Sequence, residues 1–289
     1  MAGACRELAE QAIVSREMTM AVEKIDIEAA IRSSKSKFIR SMPHFMISLI
    51  RKLIRQDEMN ATLEKTGMNK GIDFVNAVLR EWNIDVIIRG GENIPASGRF
   101  VFVANHPVGA MDSLAFLSMI AKYFPDVVSP SNELFGYLPQ LDPLILGVNV
   151  FGKNTKETAG KLNRLFGSST QIMIFPSGEV SRRKNGKIED PDWQKSFITK
   201  AVEHHRDIIP VHISGRNSGL FYFVANLRKL LGIGMYVETV LLPREMMNQR
   251  GKPVILTVGK PIPWQTITTD KSHHEWAGAV KRIVYKISG

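Results

Sequence analysis

The chain has 289 residues, of which 44% are hydrophobic, and it carries a net charge of +10 at pH 7. This length allows one large domain or two small ones with a sizeable core. The positive charge favours an anionic partner, which can be a nucleic acid, an anionic lipid surface or a phosphorylated substrate. The single cysteine, Cys5, excludes an intrachain disulfide and a thiolate metal cage.

No segment reaches the roughly 18 consecutive apolar residues that a membrane-spanning helix needs. Charged residues also interrupt the first thirty positions, which argues against a secretory signal. We therefore expect a chain that does not span a membrane and that is either soluble or bound to a membrane surface.

Residues 1–83 contain few turn signals and predict an N-terminal helical region. A basic amphipathic helix is expected over about residues 43–56, with Pro43 in a position that suits a first turn. Its apolar positions recur at helical spacing, and its basic positions lie on the other side: Phe45, Met46, Leu49, Ile50, Leu53 and Ile54 against Arg51, Lys52 and Arg55. Such a helix either lies in a bilayer interface, with its basic residues on anionic headgroups, or packs on the domain core. A second helix is predicted over residues 71–82.

Beyond residue 83, strand-like and helix-like segments alternate. Strands are predicted over residues 84–88, 100–104, 171–175, 208–213, 237–242 and 254–258. Helices are predicted over residues 113–123, 156–166, 191–205, 218–231 and 273–287. This alternation is typical of an α/β domain with a largely parallel sheet flanked by helices, and we assign that domain to residues 84–289.

Three of the predicted strands end in polar loops. These loops are Asn105-His106, Pro176-Ser177-Gly178-Glu179 and Ser214-Gly215-Arg216-Asn217. Parallel strands place their carboxyl ends at one edge of a sheet, where ligands gather in α/β folds. We therefore expect the three loops to share one edge and to hold the functional site.

His106 follows the apolar segment 100–104, and Asp112 comes six positions later, at a place typical of a helix N-cap. Pro107 and Gly109 give the intervening loop a fixed entry and a flexible middle. An imidazole is a competent base near neutral pH, and a carboxylate on its other nitrogen would fix the tautomer. The sequence contains no G-x-S-x-G nucleophile motif. A His-Asp pair without a protein nucleophile indicates that a substrate hydroxyl is the attacking group.

An ordered set of blocks contains this pair: Asn105-His106-Pro107 with Gly109 and Asp112, Phe175-Pro176-Ser177-Gly178-Glu179, and Ile209-Pro210-Val211. In order and approximate spacing, the blocks resemble the lysophospholipid and glycerolipid acyltransferase family over residues 84–262, about three fifths of the chain. Five residues, where the family usually has four, separate His106 from Asp112. Ser177 stands where the family usually has glutamate, and Lys153 stands in the place of an arginine. The longer gap is similar to the branch that contains hemolysin-like and lyso-ornithine-lipid acyltransferases.

The resemblance implies an O-acyltransferase that moves a fatty acyl group from acyl-CoA or acyl carrier protein to the hydroxyl of a lyso-lipid. The acceptor would be a lysophosphatidate or a lyso-aminolipid such as lyso-ornithine or lyso-glycine lipid. The implied site consists of His106 as general base, Asp112 as its orienting carboxylate, and Lys153, Gly178, Glu179 and Arg182 as substrate-binding residues. The acyl donor would be a co-substrate, and no cofactor and no metal ion are expected.

The resemblance also implies a peripheral protein at the cytoplasmic face of the membrane, with an anionic membrane surface as partner. No nucleic-acid-binding motif is recognisable, so a nucleic acid partner is not expected. Two alternatives stay open from the sequence. One is a non-catalytic lipid-binding protein with a degenerate site, and the other is a lipid esterase in which water replaces the lipid hydroxyl.

Overall fold

The computed structural model describes residues 24–34, 36–132, 138–148, 155–184, 186–234 and 236–288. Cys5 and Lys153 lie outside the described residues. The strands are β1 (Val86–Arg89), β2 (Phe100–Ala104), β3 (Val127–Asn132), β4 (Ile145–Val148), β5 (Gln171–Ile174), β6 (Arg182–Lys184), β7 (Lys187–Glu189), β8 (Asp207–Ile213) and β9 (Val254–Val258). The helices are α1 (Ile27–Arg32), α2 (Lys37–Arg40), α3 (His44–Leu53), α4 (Gln56–Thr66), α5 (Gly71–Glu81), α6 (Ala110–Ala121), α7 (Lys156–Gly167), α8 (Ser196–Glu203), α9 (Gly219–Leu230), α10 (Leu242–Met247) and α11 (His273–Lys286).

Among the described residues, seven strands form one sheet in the order β1-β9-β8-β2-β5-β3-β4. The neighbours from β8 to β4 all run in the same direction. β9 pairs antiparallel with β8, and β1 pairs parallel with β9, so β1 and β9 run in the opposite direction to the others. The sheet is therefore largely parallel, which confirms the predicted fold class. β6 and β7 form a separate antiparallel hairpin.

Helices cover both faces of the sheet. Alternate residues of β2 divide between two hydrophobic clusters, with Phe100, Phe102 and Ala104 in the first and Val101 and Val103 in the second. Side chains of α4, α5 and α6 complete the first cluster, and side chains of α8 and α11 complete the second. Because both faces of β2 are covered, this strand is apolar at every position and all of its residues are buried.

The predicted amphipathic helix is present as α3. Its Ile47 is buried, and Ile50 packs against the first hydrophobic cluster. Phe45, Met46 and Leu49 are exposed instead. One face of α3 therefore packs on the protein, and another presents apolar side chains to the outside. Among the described residues, no helix is both long enough and apolar enough to cross a membrane.

The predicted strand over residues 237–242 is wrong. Val237–Leu241 forms a 3-10 turn that leads directly into α10. Pro243 lies in the first turn of α10, where its fixed φ favours a helix. Glu238 is fully buried, and its Oε2 lies 2.9 Å from Nε of Arg228. The strand was predicted from the apolar residues Val237, Val240, Leu241 and Leu242. Glu238 interrupts them and forms a buried ion pair, and the segment does not form a pleated strand.

The sequence patterns miss β3, β4 and the β6–β7 hairpin. β3 contains Ser129, Pro130 and Ser131, which are residue types that disfavour a central strand. Pro130 is tolerated because β3 pairs with β5 only through Val127 and Val128. The hydrogen-bonded ladder between these two strands ends before the proline, so the missing N–H breaks no bond to β5.

Candidate active site

The loops that follow β2, β5 and β8 meet at one edge of the sheet because these three strands are parallel neighbours. Asn105 joins two of these loops. Its Nδ2 donates to the carbonyl of Ile213 at 2.9 Å, and its Oδ1 accepts from the N–H of Ile213 at 2.7 Å. The N–H of Ser181 donates to the carbonyl of His106 at 2.8 Å, which brings in the third loop. The shared edge that the sequence predicts is therefore confirmed.

Asp112 lies at the third position of α6, and Gly109 is the N-cap, so the prediction of an N-cap at Asp112 is wrong. Its Oδ2 accepts from the backbone N–H groups of Val108 and Gly109 at 2.8 and 2.9 Å. It thus satisfies donors that have no partner within the helix. Gly109 has a φ of 116°, a conformation that favours glycine and that turns the loop back toward His106.

The same carboxylate oxygen faces the imidazole of His106. Asp112 Oδ2 lies 3.0 Å from His106 Nδ1, although the two atoms fall outside straight hydrogen-bond geometry. The imidazole stacks on the ring of Phe175 with 3.9 Å between the ring centroids. The His106 side chain is only 13% exposed. Stacking and burial hold the plane of the imidazole next to the carboxylate, so the structure brings the two predicted catalytic residues together.

Nε2 of His106 has no hydrogen-bond partner among the described residues. A carboxylate next to Nδ1 favours a proton on Nδ1, which leaves the lone pair of Nε2 to accept a proton. The two serines of the loop after β5 are engaged elsewhere. Ser177 Oγ donates to the carbonyl of Glu179 at 2.7 Å, and Ser181 Oγ donates to Asp190 at 2.6 Å. This arrangement provides a base with an open acceptor atom, and neither of these serines donates to it.

Asp190 is a second carboxylate beside His106, and sequence reasoning missed it. It is 4% exposed, and its Oδ1 accepts from the backbone N–H of His106 at 3.1 Å. Ser181 donates to the same oxygen, and Trp193 Nε1 donates to Oδ2 at 3.0 Å. Burial raises the pKa of Asp190, whereas the hydrogen bonds from Ser181, the His106 N–H and Trp193 oppose that rise. Asp190 therefore fixes the backbone of His106, whereas Asp112 contacts its imidazole.

Helix α11 holds Asp190 in place. The N–H of Asp190 donates to the hydroxyl oxygen of Tyr285 at 2.7 Å. Lys281 Nζ donates to the carbonyls of Asp190 and Pro191 at 2.7 and 3.1 Å. Burial raises the pKa of the Tyr285 hydroxyl, so this group stays protonated near neutral pH. A helix far along the chain thus supports the backbone of the candidate base.

The loop after β5 carries three of the predicted substrate-binding residues. Gly178 has a φ of 66°, a left-handed conformation that favours glycine. Glu179 Oε2 lies 3.2 Å from Nη2 of Arg182. The bond from Ser181 to the carbonyl of His106 places this loop beside the imidazole. The fourth predicted residue of this kind, Lys153, is outside the described residues.

Arg182 is part of a buried ion cluster that includes Glu179, Arg228, Tyr236 and Glu238. Glu238 Oε1 lies 3.3 Å from Nη2 of Arg182, and Glu238 Oε2 lies 2.9 Å from Nε of Arg228. The Tyr236 ring covers both guanidinium groups, with its centroid 5.8 Å from Arg182 Cζ and 4.5 Å from Arg228 Cζ. Glu179 raises the pKa of Tyr236. Two arginines and two carboxylates balance in charge, so Arg182 is not a free cation.

Sequence reasoning missed Arg228 and Glu238 as well as Asp190. Glu238 gave a usable signal, because it is the only acidic residue between positions 208 and 241. A lone carboxylate in an apolar, basic segment predicts a buried partner for an arginine. Asp190 precedes a proline, which predicts a turn and nothing about catalysis.

Comparisons with known proteins find a family match and two related sequences. A family model described as Acyltransferase matches residues 30–288. The chain is 38% identical over 264 residues to a lyso-glycine lipid O-acyltransferase of Phocaeicola vulgatus, covering 91% of this chain and 95% of that protein. It is also 38% identical over 264 residues to a lyso-glycine lipid O-acyltransferase of Bacteroides thetaiotaomicron, covering 91% and 97%. The crystal structure of the 1-acyl-sn-glycerophosphate (LPA) acyltransferase PlsC from Thermotoga maritima is 19% identical, covers 85% of this chain and 94% of that chain, and gives a TM-score of 0.43.

Proposed function

The chain belongs to the acyltransferase family, and from that premise we propose that it transfers a fatty acyl group to the hydroxyl of a lyso-lipid. The observation that carries this proposal is the imidazole of His106: its Nδ1 lies 3.0 Å from the buried carboxylate of Asp112, and its Nε2 has no hydrogen-bond partner within the described part of the chain. The acceptor that we propose is a lyso-glycine lipid, because both curated relatives carry that name and align over most of the chain. Lyso-ornithine lipid and lysophosphatidate are the acceptors against which this choice is tested.

In the proposed reaction, Nε2 of His106 accepts the proton of the acceptor hydroxyl while the hydroxyl oxygen attacks the thioester carbonyl. Asp112 holds the imidazole and stabilises its protonated form. The tetrahedral intermediate then loses its C–S bond, and the leaving sulfur takes the proton back from His106. A C–O ester bond replaces a C–S thioester bond, and no acyl-enzyme intermediate is needed. The donor is acyl-CoA or acyl carrier protein, which serves as a co-substrate.

The acceptor head group is proposed to bind at the loop that carries Gly178, Glu179 and Arg182. Glycine lipid presents a carboxylate, which an arginine can bind in two-point geometry. Nη1 of Arg182 is buried and has no hydrogen-bond partner among the residues that the structure describes, so it is a donor that an incoming carboxylate satisfies. Because Arg182 already pairs with Glu179, the head group competes with that carboxylate. Lys153 would supply a further positive charge.

An apolar cavity between α5 and α6 supports a fatty acyl substrate. The cavity has a volume of about 130 Å³ and includes Ala110, Ser113 and Leu114 of α6 in its lining, with Phe74 and Val78 of α5 on the other side. Ala110 and Ser113 lie in the first turn of α6, which also carries Asp112, so the lining reaches the end of α6 that holds the site. We propose that an acyl chain enters here.

The proposed location is the cytoplasmic face of a membrane, with the protein bound peripherally to an anionic surface. Support comes from α3, where exposed Phe45 and Leu49 lie on the same helix as Arg51 and Lys52. Apolar side chains enter the boundary between headgroups and acyl chains, and basic side chains bind the headgroups. The net charge of +10 favours the same kind of partner.

The test uses purified protein, labelled acyl-CoA or acyl carrier protein, and the three lyso-lipids. We expect transfer to lyso-glycine lipid, and a loss of at least about a hundredfold in His106→Ala, which is the lower range for loss of a general base. His274→Ala, at an exposed position of α11, is the matched control and keeps activity. Hydrolysis of the donor without transfer would assign an esterase. Lipid binding without turnover by the wild-type protein would assign a non-catalytic lipid-binding protein.

A further inference from the structure

Helix α9 is apolar on both sides. Its inner side chains, including Phe221, Tyr222 and Ala225, are buried. Its outer side presents Leu220, Phe223, Leu227 and Leu230 at intervals of three and four residues, which places them on one face. Leu230 is 82% exposed and Phe223 is 62% exposed. The outer face of a helix on a water-soluble domain is ordinarily polar, so this face indicates a contact that is not with water.

The exposed apolar surface continues beyond the end of α9. We call the whole set the α9 surface, and it consists of Leu220, Phe223, Leu227, Leu230, Leu231, Ile233, Tyr236, Val237 and Val240. Singly scattered exposed apolar residues are normal on proteins, but a continuous set along one segment marks an interaction site.

The exposed charges of residues 208–240 are positive. Residues 208–237 contain no aspartate or glutamate, and Glu238 is fully buried. Arg216 and Lys229 are exposed in the same segment. On the β6–β7 hairpin, the guanidinium of Arg183 lies 5.7 Å from the ring centroid of Tyr222. Exposed apolar side chains bordered by cations fit an anionic lipid leaflet, where acyl chains lie beneath negative headgroups.

The α9 surface is joined to the loop that is proposed to bind the acceptor. Val180, in that loop, packs in one buried cluster with Phe221, Tyr222 and Leu241. The guanidinium of Arg182 lies 5.4 Å from the ring centroid of Phe221 and also pairs with Glu238. Leu53, at the end of α3, packs on the same cluster. A leaflet that holds the α9 surface is therefore one layer of side chains away from the loop after β5.

We propose that the α9 surface inserts into an anionic lipid leaflet and thereby places the acceptor-binding loop at the membrane. The proposal rests on the proposed function for the identity of the acceptor, whereas the membrane contact rests on the surface itself. α3 then provides one contact with the leaflet and the α9 surface provides a second one, which is separated from α3 in the sequence.

The test measures partition of the full chain onto vesicles of phosphatidylcholine with and without phosphatidylglycerol. Leu230→Glu and the double variant Phe223→Glu/Leu230→Glu are compared with Met68→Glu, a matched change at a position that is 70% exposed and outside the surface. Because Leu230 buries little of its side chain, Leu230→Glu is expected to fold like the wild type, which thermal melts verify. We expect the double variant to partition at least about tenfold less than the wild type onto anionic vesicles, while Met68→Glu does not change.

Acyl transfer separates this proposal from the proposed function. When the acceptor is a lyso-lipid in vesicles, we expect the double variant to lose acyl transfer in parallel with vesicle binding. When the acceptor is short-chain and water-soluble, we expect the double variant to keep its activity. Unchanged partition of a folded double variant would overturn the proposal. The proposal would also be overturned if the wild-type protein does not bind vesicles and instead self-associates, and if Leu230→Glu abolishes this self-association. A wild-type protein that binds vesicles through this surface but acylates no acceptor would overturn the proposed function alone.

Discussion

Replacing Glu238 by glutamine is expected to destabilise the protein strongly. Glu238 is fully buried, and it lies between the guanidinium groups of Arg182 and Arg228. In Glu238→Gln, Arg182 keeps its contact with Glu179. Within the described part of the chain, Arg228 keeps only a hydrogen bond to the carbonyl of Ile233 and its contact with the ring of Tyr236. The variant therefore leaves one buried cation without a compensating carboxylate.

Removing one partner of a buried ion pair costs about 3–5 kcal/mol. Only one of the two arginines loses its counter-charge, so we expect the lower end, about 3 kcal/mol. The double variant Arg228→Met/Glu238→Leu removes the buried charge on both sides, and it should recover most of that loss. The double variant also distinguishes the contribution of the ion pair to stability from that of the packing in the turn.

Urea denaturation measures these differences as shifts of the unfolding midpoint at constant slope. Glu157→Gln is the matched control, because the Glu157–Lys161 pair is largely exposed. We expect this substitution to leave the unfolding midpoint unchanged within error. If Glu238→Gln shifts the midpoint no more than Glu157→Gln does, the argument from burial is refuted. If Arg228→Met/Glu238→Leu is less stable than Glu238→Gln, the loss belongs to packing and not to the unpaired charge.

Two further predictions concern Asp190 and His212. Asp190→Asn keeps the size of the side chain but weakens the bond to the N–H of His106, so kcat should fall about tenfold with little change in KM; a change in KM alone would argue against a positioning role. Burial lowers the pKa of His212 below that of the unfolded chain, so its contribution to stability is present above about pH 6.5 and is lost as the pH falls through the folded pKa. In His212→Gln, the unfolding free energy should therefore decline less steeply below about pH 6.5, and parallel slopes for the two proteins would contradict this reading.

The fold was predictable where local patterns agree with tertiary burial. β2 and β9 begin and end as predicted, because β2 is apolar at every position and β9 at every position except Thr257. Prediction failed at β3, where Pro130 suggests a loop and only the neighbouring strands show that its place in the ladder is harmless. It failed again at residues 237–242, where apolar residues suggested a strand, whereas the segment forms a 3-10 turn and its Glu238 pairs with Arg228 of α9.

For the candidate site as well, the residues that lie close together in the sequence were predictable and the distant ones were not. His106 and Asp112 were predictable because one short loop carries both, and the spacing limits how far apart they can lie. Asp190 was not, because its bond to the backbone of His106 joins positions 84 residues apart. Arg182 likewise has one partner nearby in the sequence and one distant partner. Glu179 is close in sequence and was predicted to bind substrate, but its pairing with Arg182 was not predicted, and Glu238 comes from a distant segment and was missed.

The hydrogen bonds that hold the base have a consequence for folding. Asn105 joins Ile213 across 108 residues, His106 joins Asp190 across 84, and Asp190 joins Tyr285 across 95. Contacts between such distant positions require large loops to close, and they form late compared with helices and local turns. Partly folded forms can therefore contain native α6 and α11 before the imidazole has its supports. Catalytic turnover therefore requires that these long-range contacts have formed. During refolding, activity should return later than the secondary structure does.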